Sequence, residues 1–343
     1  MSTKSLHPDF QLNGRSFSSK EELLNYVKNE ATELLSFLSE WFDDSPYVIV
    51  KTSGSTGKPK KITIKKDQMI NSAKATGSYF DLSGGTTALL CMPVKYIAGK
   101  MMLVRAMVLG WHLDVTAVSS NPLQNIDKTY DFSAMVPLQL YHSLDKISLI
   151  KKLIVGGGAV SEELIDKIQE IPTKIFAMYG MTETITHIAV KPLNTDQRSE
   201  FYQVLPEVKI STDKRGCLVI NAPKVADNIL ITNDLVEITS ENKFRWLGRY
   251  DYIINTGGIK ILPEEIEKKI TPLISSRFFI SSLPDDKLGE KIILIVEGGQ
   301  EQFPLKKVLS KYEMPKEVFF VKKFIETPTG KINRNKTKDT IGV

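Results

Sequence analysis

The sequence predicts an α/β protein in two parts. Residues 1–248 read as a large N-terminal domain of parallel and mixed sheets covered by helices, and residues 249–343 as a small α+β domain. The first part is predicted by apolar runs that alternate with helix-spaced segments between residues 87 and 180, the pattern of strands joined by crossover helices. The second is predicted by a change of pattern at Arg249–Asp251, beyond which come a glycine-turned hairpin, one short helix and two strands.

Taken in order, residues 19–42 place Leu23, Leu24, Val27, Leu34, Leu35, Leu38 and Trp41 at helical spacing, so one helix is expected. Ser19, three residues before Glu22, offers it a capping box. TALLCMPV reads as a buried strand, KMMLVRAMVLG as a helix stopped by Gly110, and FSAMVP as a strand. KKLIVGGG leads into SEELIDKIQ, and KIFAMYG follows as another strand. Gly156, Gly157 and Gly158 therefore fall where a strand ends and a helix begins, the place where open α/β sheets admit ligands. A tight turn would use the same glycines, and the absence of G-x-G-x-x-G gives a dinucleotide fold little support. IINTGGIKI reads as a hairpin, PEEIEKKI as a helix with Pro263 in its first turn, and KIILIVEGG and EVFFVKKF as strands.

The densest chemistry lies in YVIVKTSGSTGKPKKITIK, residues 47–65, where two β-like runs flank a loop suited to phosphate. Gly54 and Gly57 let backbone N–H groups turn toward an anion. Thr52, Ser53, Ser55 and Thr56 supply hydroxyl donors, and Lys58, Lys60 and Lys61 supply charge. A Walker A loop would open a helix after Gly-Lys-Ser/Thr, whereas here Pro59 and a strand-like ITIK follow the lysine.

Composition excludes several classes. Hydrophobic content of 42% with 25% charged residues is that of a globular protein. No run approaches the ~18 apolar residues of a membrane span, and the N-terminal stretch lacks the apolar core of a secretory signal, so a cytoplasmic protein is expected. Cys91 and Cys217 sit far apart in apolar runs and read as buried thiols rather than a disulfide or zinc site. The net charge is +5, and residues 249–343 hold 17 Lys and Arg against 13 Asp and Glu. These lysines are dispersed among acids without interleaved aromatics, so nucleic acid is not the expected partner. A solvated surface and a polyanionic small molecule both remain open.

The loop resembles the phosphate loop of the acyl-adenylate-forming superfamily of acyl-CoA synthetases, luciferases and peptide-synthetase adenylation domains. Three further segments match in that family's order: YGMTE at 179–183, GRYDYIINTGGIKILPEEIE at 248–267 and ETPTGKINR at 326–334. The resemblance thus spans roughly residues 47–336 and implies ATP, Mg2+ and coenzyme A as cosubstrates and cofactors, with a carboxylic acid activated as its adenylate. By the same resemblance Lys331 is the adenylation lysine, bridging carboxylate and α-phosphate. Thr182 contacts that phosphate, Glu183 associates with the metal, and Tyr179 stacks on adenine. Asp234 accepts the ribose hydroxyls with help from Arg249, and Asp251 is the hinge about which a mobile C-terminal domain turns. Gly257, Gly258, Ile259 and Lys260 border a pantetheine tunnel.

Only about 51 residues precede the phosphate loop, which implies a reduced N-terminal subdomain, and the family segment P-L-x-H-I-A-G stands here as PVKYIAG with Tyr96 in place of histidine. Lys61 replaces the glycine that usually follows the loop lysine. The shortened chain with YIAGKMM and YGMTETITHIA is similar to the short o-succinylbenzoate–CoA ligases of menaquinone biosynthesis. That resemblance implies an aromatic keto-dicarboxylate whose second carboxylate needs a partner. Lys95, Lys100 and Arg105, with Tyr96, lie near the expected acyl pocket, although each charge would also fit a surface or structural role. His187 is assigned no catalytic role. The same ATP residues would serve an adenylation enzyme that loads a carrier protein, and the fold alone could serve a noncatalytic nucleotide-binding regulator. No pattern in the chain speaks to oligomeric state.

Overall fold

A computed structural model describes residues 6–51, 61–327 and 332–342. The chain opens with β1 (Gln11–Leu12) and β2 (Arg15–Ser16), then α1 (Lys20–Glu30) and α2 (Thr32–Phe42). One helix was expected over 19–42, and two are found. Ala31 leaves the helical region at φ −148°, ψ 57°, just before Thr32 and two residues after Asn29, both weak helix formers. Ser19 caps α1 as expected, its Oγ accepting from the Glu22 N–H at 3.1 Å. The reciprocal bond is displaced by one residue, because the Glu22 carboxylate accepts from the Ser18 N–H at 2.9 Å.

Strands β3 (Tyr47–Lys51) and β4 (Lys61–Lys65) form an antiparallel pair on either side of the segment expected to bind phosphate, with Lys51 opposite Lys61. Next come α3 (Lys66–Phe80), β5 (Thr87–Leu90), α4 (Ile97–Leu109), β6 (His112–Val115) and β7 (Tyr130–Met135). They are followed by α5 (Pro137–His142), β8 (Ile150–Val155), α6 (Glu162–Lys167) and β9 (Lys174–Gly180). Gly110 ends α4 in the left-handed region, as expected, and the Ser161 hydroxyl caps α6. Strands β9, β8, β7, β5 and β6 lie side by side in that order, all parallel.

From β9 the sheet continues antiparallel through β10 (His187–Pro192) and β11 (Tyr202–Val204). It ends in β12 (Lys209–Thr212), β13 (Cys217–Asn221), β14 (Leu230–Ser240) and β15 (Lys243–Arg249), in the order β11-β15-β14-β13-β12. The large sheet thus has 13 strands and two characters, a helix-covered parallel half and an antiparallel half. A five-stranded sheet follows, from the hairpin β16 (Ile254–Thr256) and β17 (Ile259–Ile261) through α7 (Pro263–Ile270) to β18 (Phe278–Asp285), β19 (Gly289–Glu297) and β20 (Glu317–Val321). The chain closes with α8 (Arg334–Asp339).

The buried apolar residues divide the same way. One cluster runs from Phe10 to Phe244, and two smaller ones lie between Ile254 and Phe324. Both cysteines are free and buried, and burial pushes the Cys91 thiol up to about 12, so it is no nucleophile. No helix among the described residues is long and apolar enough to cross a membrane.

Candidate active site

The carboxyl ends of the parallel strands carry the loops singled out by sequence. Gly157 (φ +82°) and Gly158 follow β8, beside Val136 and Pro137 at the end of β7. Strand β9 delivers Tyr179 and then a 3-10 turn, Thr182–Thr184. Gly180 lets this turn sit against the next strand: a Cβ there would lie 2.1 Å from the Thr186 carbonyl oxygen, so only glycine fits.

Directly after Glu183 the backbone is strained in a way the sequence did not announce. Ile185, a β-branched residue, takes φ 69°, ψ −64°, while the Thr186 N–H donates to the Thr184 carbonyl at 2.8 Å. This is the rare form of the three-residue γ-turn. The Thr184 hydroxyl holds it, accepting from the Met181 N–H at 3.0 Å and donating to the Thr186 carbonyl at 2.8 Å. Strain sustained by such bonding fixes where Thr182 and Glu183 point. They line a cleft of about 200 Å³ together with Ile62, Thr63 and Ile64 of β4, so the strand leaving the phosphate loop borders both residues. The loop residues Thr52, Ser53, Gly54, Ser55, Thr56, Gly57 and Lys60, and also Lys331, lie outside the described residues.

Asp234 lies on β14. It is 8% exposed and directly faces Arg249 across the β14–β15 ladder. Its carboxylate accepts from the Tyr179 hydroxyl at 2.7 Å, the Trp246 indole at 3.1 Å and the Arg249 guanidinium at 3.4 Å. Four ladder steps separate β9 from β14, ~19 Å in a flat sheet, so a direct Tyr179–Asp234 bond requires this half to curl upon itself. The Tyr179 ring packs edge-on against Phe244 and Tyr202, which stack on each other. Burial and the Asp234 charge drive the Tyr179 phenol above its ordinary range, so it remains a donor. Arg249 also pairs with Asp251 at 2.8 Å, and the Asn233 amide donates to the same carboxylate at 3.0 Å. Gly257 and Gly258, with φ of +57° and +82°, form the two-residue turn between β16 and β17, a geometry that favours glycine at both positions, and Lys260 stands exposed on β17.

The acyl-pocket candidates separate. Lys95 is exposed over the Tyr96 ring, and half-buried Tyr96 stands at the start of α4. Lys100 is buried against Glu40 at 3.3 Å and lies over the Phe37 ring, a structural ion pair. Arg105 is no surface charge. It is 2% exposed and reaches the hydroxyls of Thr76 and Thr186, each at 3.2 Å, with no carboxylate partner among the described residues. Burial pushes its guanidinium down to about 9. The signal for this was present, because α4 is apolar on every face and a helix of that kind is internal. His187, set aside by sequence, is 3% exposed with neither ring nitrogen bonded, and burial beside Arg105 pushes it down to about 3.

Residues 10–219 match the model of the AMP-binding enzyme family, and the chain belongs to that family. Its curated relatives include the 2-succinylbenzoate–CoA ligases of Lactococcus lactis, 25% identical over 89% of this chain and 73% of that enzyme, and of Listeria monocytogenes, 25% identical over 90% and 73%. Among solved structures, the AMP-forming acyl-CoA synthetase/AMP-acid ligase II-like protein of Dyadobacter fermentans is 38% identical, covering 92% of this chain and 95% of that one, with a TM-score of 0.63. The o-succinylbenzoate coenzyme A synthetase of Bacillus subtilis, solved in complex with ATP and magnesium ion, shares the fold at a TM-score of 0.73 and 19% identity, over 94% of this chain and 82% of that one.

Proposed function

We propose that this chain is an AMP-forming acid–coenzyme A ligase that activates o-succinylbenzoate. The observation that carries the nucleotide half is the Asp234 cluster: a buried carboxylate, held by three donors and facing a guanidinium, can exchange some of those donors for two ribose hydroxyls. Tyr179 stands beside it to contact the base, and Thr182 and Glu183 follow on the same chain segment toward the phosphate loop. The reaction joins two anions, so it needs positive charge at both the attacking carboxylate and the α-phosphate. Lys331 and the loop lysine Lys60 supply it on this reading. Glu183 shares its cleft with Asp227, and no group of three His, Cys, Asp or Glu side chains among the described residues forms a metal cage. That suits magnesium held mainly by phosphate oxygens, whose bound charge would offset theirs.

The acid half rests on Arg105. A dicarboxylate keeps one carboxylate after the other is activated, and a buried guanidinium with no acid among the described residues favours that negative charge nearby. We further propose that residues 1–248 and 249–343 are two domains turning about Asp251. Rotation would break the Asp251 bonds to Arg249 and Asn233, both of which reach back to the large sheet. Gly257, Gly258 and Lys260 would then face the incoming thiol.

Acid-dependent pyrophosphate release, measured with and without coenzyme A, tests the reading. The expected result is release with o-succinylbenzoate and a free thioester only when coenzyme A is added. Release without any free thioester would point to carrier loading, and no release with any acid would leave a nucleotide-binding regulator.

A further inference from the structure

A second cleft, of about 270 Å³, lies between α3 and β10, and nothing in the nucleotide chemistry uses it. Ser72 of α3 and His187 of β10 line it, with Lys74, Lys224 and Glu207 among its other walls. Lys224 and Glu207 lie 3.9 Å apart, and Lys74 stands exposed without an acid partner among the described residues. The His187 imidazole is buried, is held edge-on against Phe80, and offers a donor and an acceptor nitrogen with no partner among the described residues. A buried ring with two unmet hydrogen bonds favours a ligand or water that can meet them.

Two connections tie this cleft to the site already described. Val225, 9% exposed, lines both it and the smaller cleft that holds Thr182 and Glu183, so the two adjoin at that side chain. Ser72 Oγ meets Thr186 Oγ1 at 3.1 Å, and Thr186 Oγ1 accepts from Arg105, so the floor backs onto the uncompensated guanidinium.

Resting on the ligase reading above, we infer that the acid substrate lies across Val225, its activated carboxylate beside Thr182 and its distal polar group hydrogen-bonded to His187 and Ser72. His187 is then a specificity-determining residue. A monoacid leaves the imidazole unpaired, and the cleft discriminates against it as sites built to hydrogen-bond a polar group do.

Two measurements decide this. In steady-state kinetics His187→Phe should raise KM for o-succinylbenzoate on the order of tenfold. It should also shrink the preference for that diacid over the two monoacids lacking one carboxylate, with KM for ATP unchanged and His187→Gln restoring part of the loss. An unchanged acid KM, or an equal rise for ATP, overturns the assignment. In 15N-imidazole NMR, with signals assigned through His187→Gln, saturating o-succinylbenzoate should shift both His187 nitrogens. Unmoved signals would mean that only water meets this ring and would overturn it too. If the wild type releases no pyrophosphate with any acid, the ligase reading fails separately, and the NMR titration with o-succinylbenzoate alone still decides the cleft.

Discussion

Asp234 and Arg105 are both buried charges, and the protein treats them oppositely. Asp234 is met by three donors, one of them a guanidinium, whereas Arg105 is met by two hydroxyls and the Met102 thioether. Burial of a charge costs several kcal/mol unless it is paired and hydrogen-bonded. On the proposed reading, the nucleotide side is electrostatically complete when empty, and the acid side would be completed by an anion brought from outside. A buried charge without a counter-charge is a stronger pointer to a charged ligand than one that is already paired.

The largest break in this picture comes from a charge common to both halves. Lys331→Ala should lower acyl-adenylate formation by a factor on the order of 100 or more, since it removes a cation aimed at the transition state. Thioester formation from presynthesised adenylate should persist, and single-turnover pyrophosphate release reads the difference. Equal loss in both steps would remove Lys331 from the adenylation role.

Arg105→Met sharpens the contrast itself. Removing a charge that the fold does not compensate should leave the melting temperature equal or higher, because Thr76 still bonds the Ser72 carbonyl and Thr186 still meets Ser72. KM for the diacid should rise by on the order of tenfold, because the charge behind Thr186 and Ser72 no longer draws the second carboxylate toward them. A destabilised variant with an unchanged acid KM would make Arg105 a structural residue.

His187 gives the acid side a signature in pH. Its folded pKa, about 3, lies below its unfolded value, so its contribution to stability is present above pH 6.5 and is lost as pH falls toward 3. At pH 5 the loss from this residue alone is about 2 kcal/mol. Urea unfolding at pH 7 and pH 5 should show a smaller acid-induced loss in His187→Phe than in the wild type.

On the nucleotide side, Asp234→Asn keeps an acceptor but loses the charge. It should raise KM for ATP about tenfold with little change in kcat, because a ribose contact is made in ground and transition states alike. An unchanged KM for ATP in a folded variant would detach Asp234 from the nucleotide.

The two halves were unequally legible in the sequence. The α/β class followed from alternation, and the hairpin turn at Gly257–Gly258 and the helix stop at Gly110 from residues whose geometry admits few alternatives. The pairing of Asp234 with Arg249 was legible through their spacing, and the structure sets the two opposite each other on neighbouring strands. What stayed hidden depends on contacts between distant segments: the curl that brings Tyr179 to Asp234, the break at Ala31, and the strained turn at Ile185. His187 carried no local signal, since its unmet nitrogens exist only once α3 and β10 are packed together.

Glu264 tests whether the contrast is a matter of degree. One of its oxygens accepts from the Arg249 N–H at 3.4 Å, and the other is buried without a partner against Gly248, where a Cβ would come within 2.7 Å of it. Burial pushes this carboxyl up to about 7, with Arg334 opposing the shift and Glu267 adding to it. A raised pKa means that the contribution is fully present below the unfolded carboxylate range and is lost as pH rises through 7. Glu264→Gln should thus leave stability at pH 5 nearly unchanged and raise it at pH 8, by under about 1 kcal/mol once solvent screening of this half-buried group is allowed for. Equal effects of the substitution at the two pH values would mean that Glu264 is already ionised in the folded protein, and that a half-satisfied carboxylate behaves like Asp234 rather than as the intermediate case between it and Arg105.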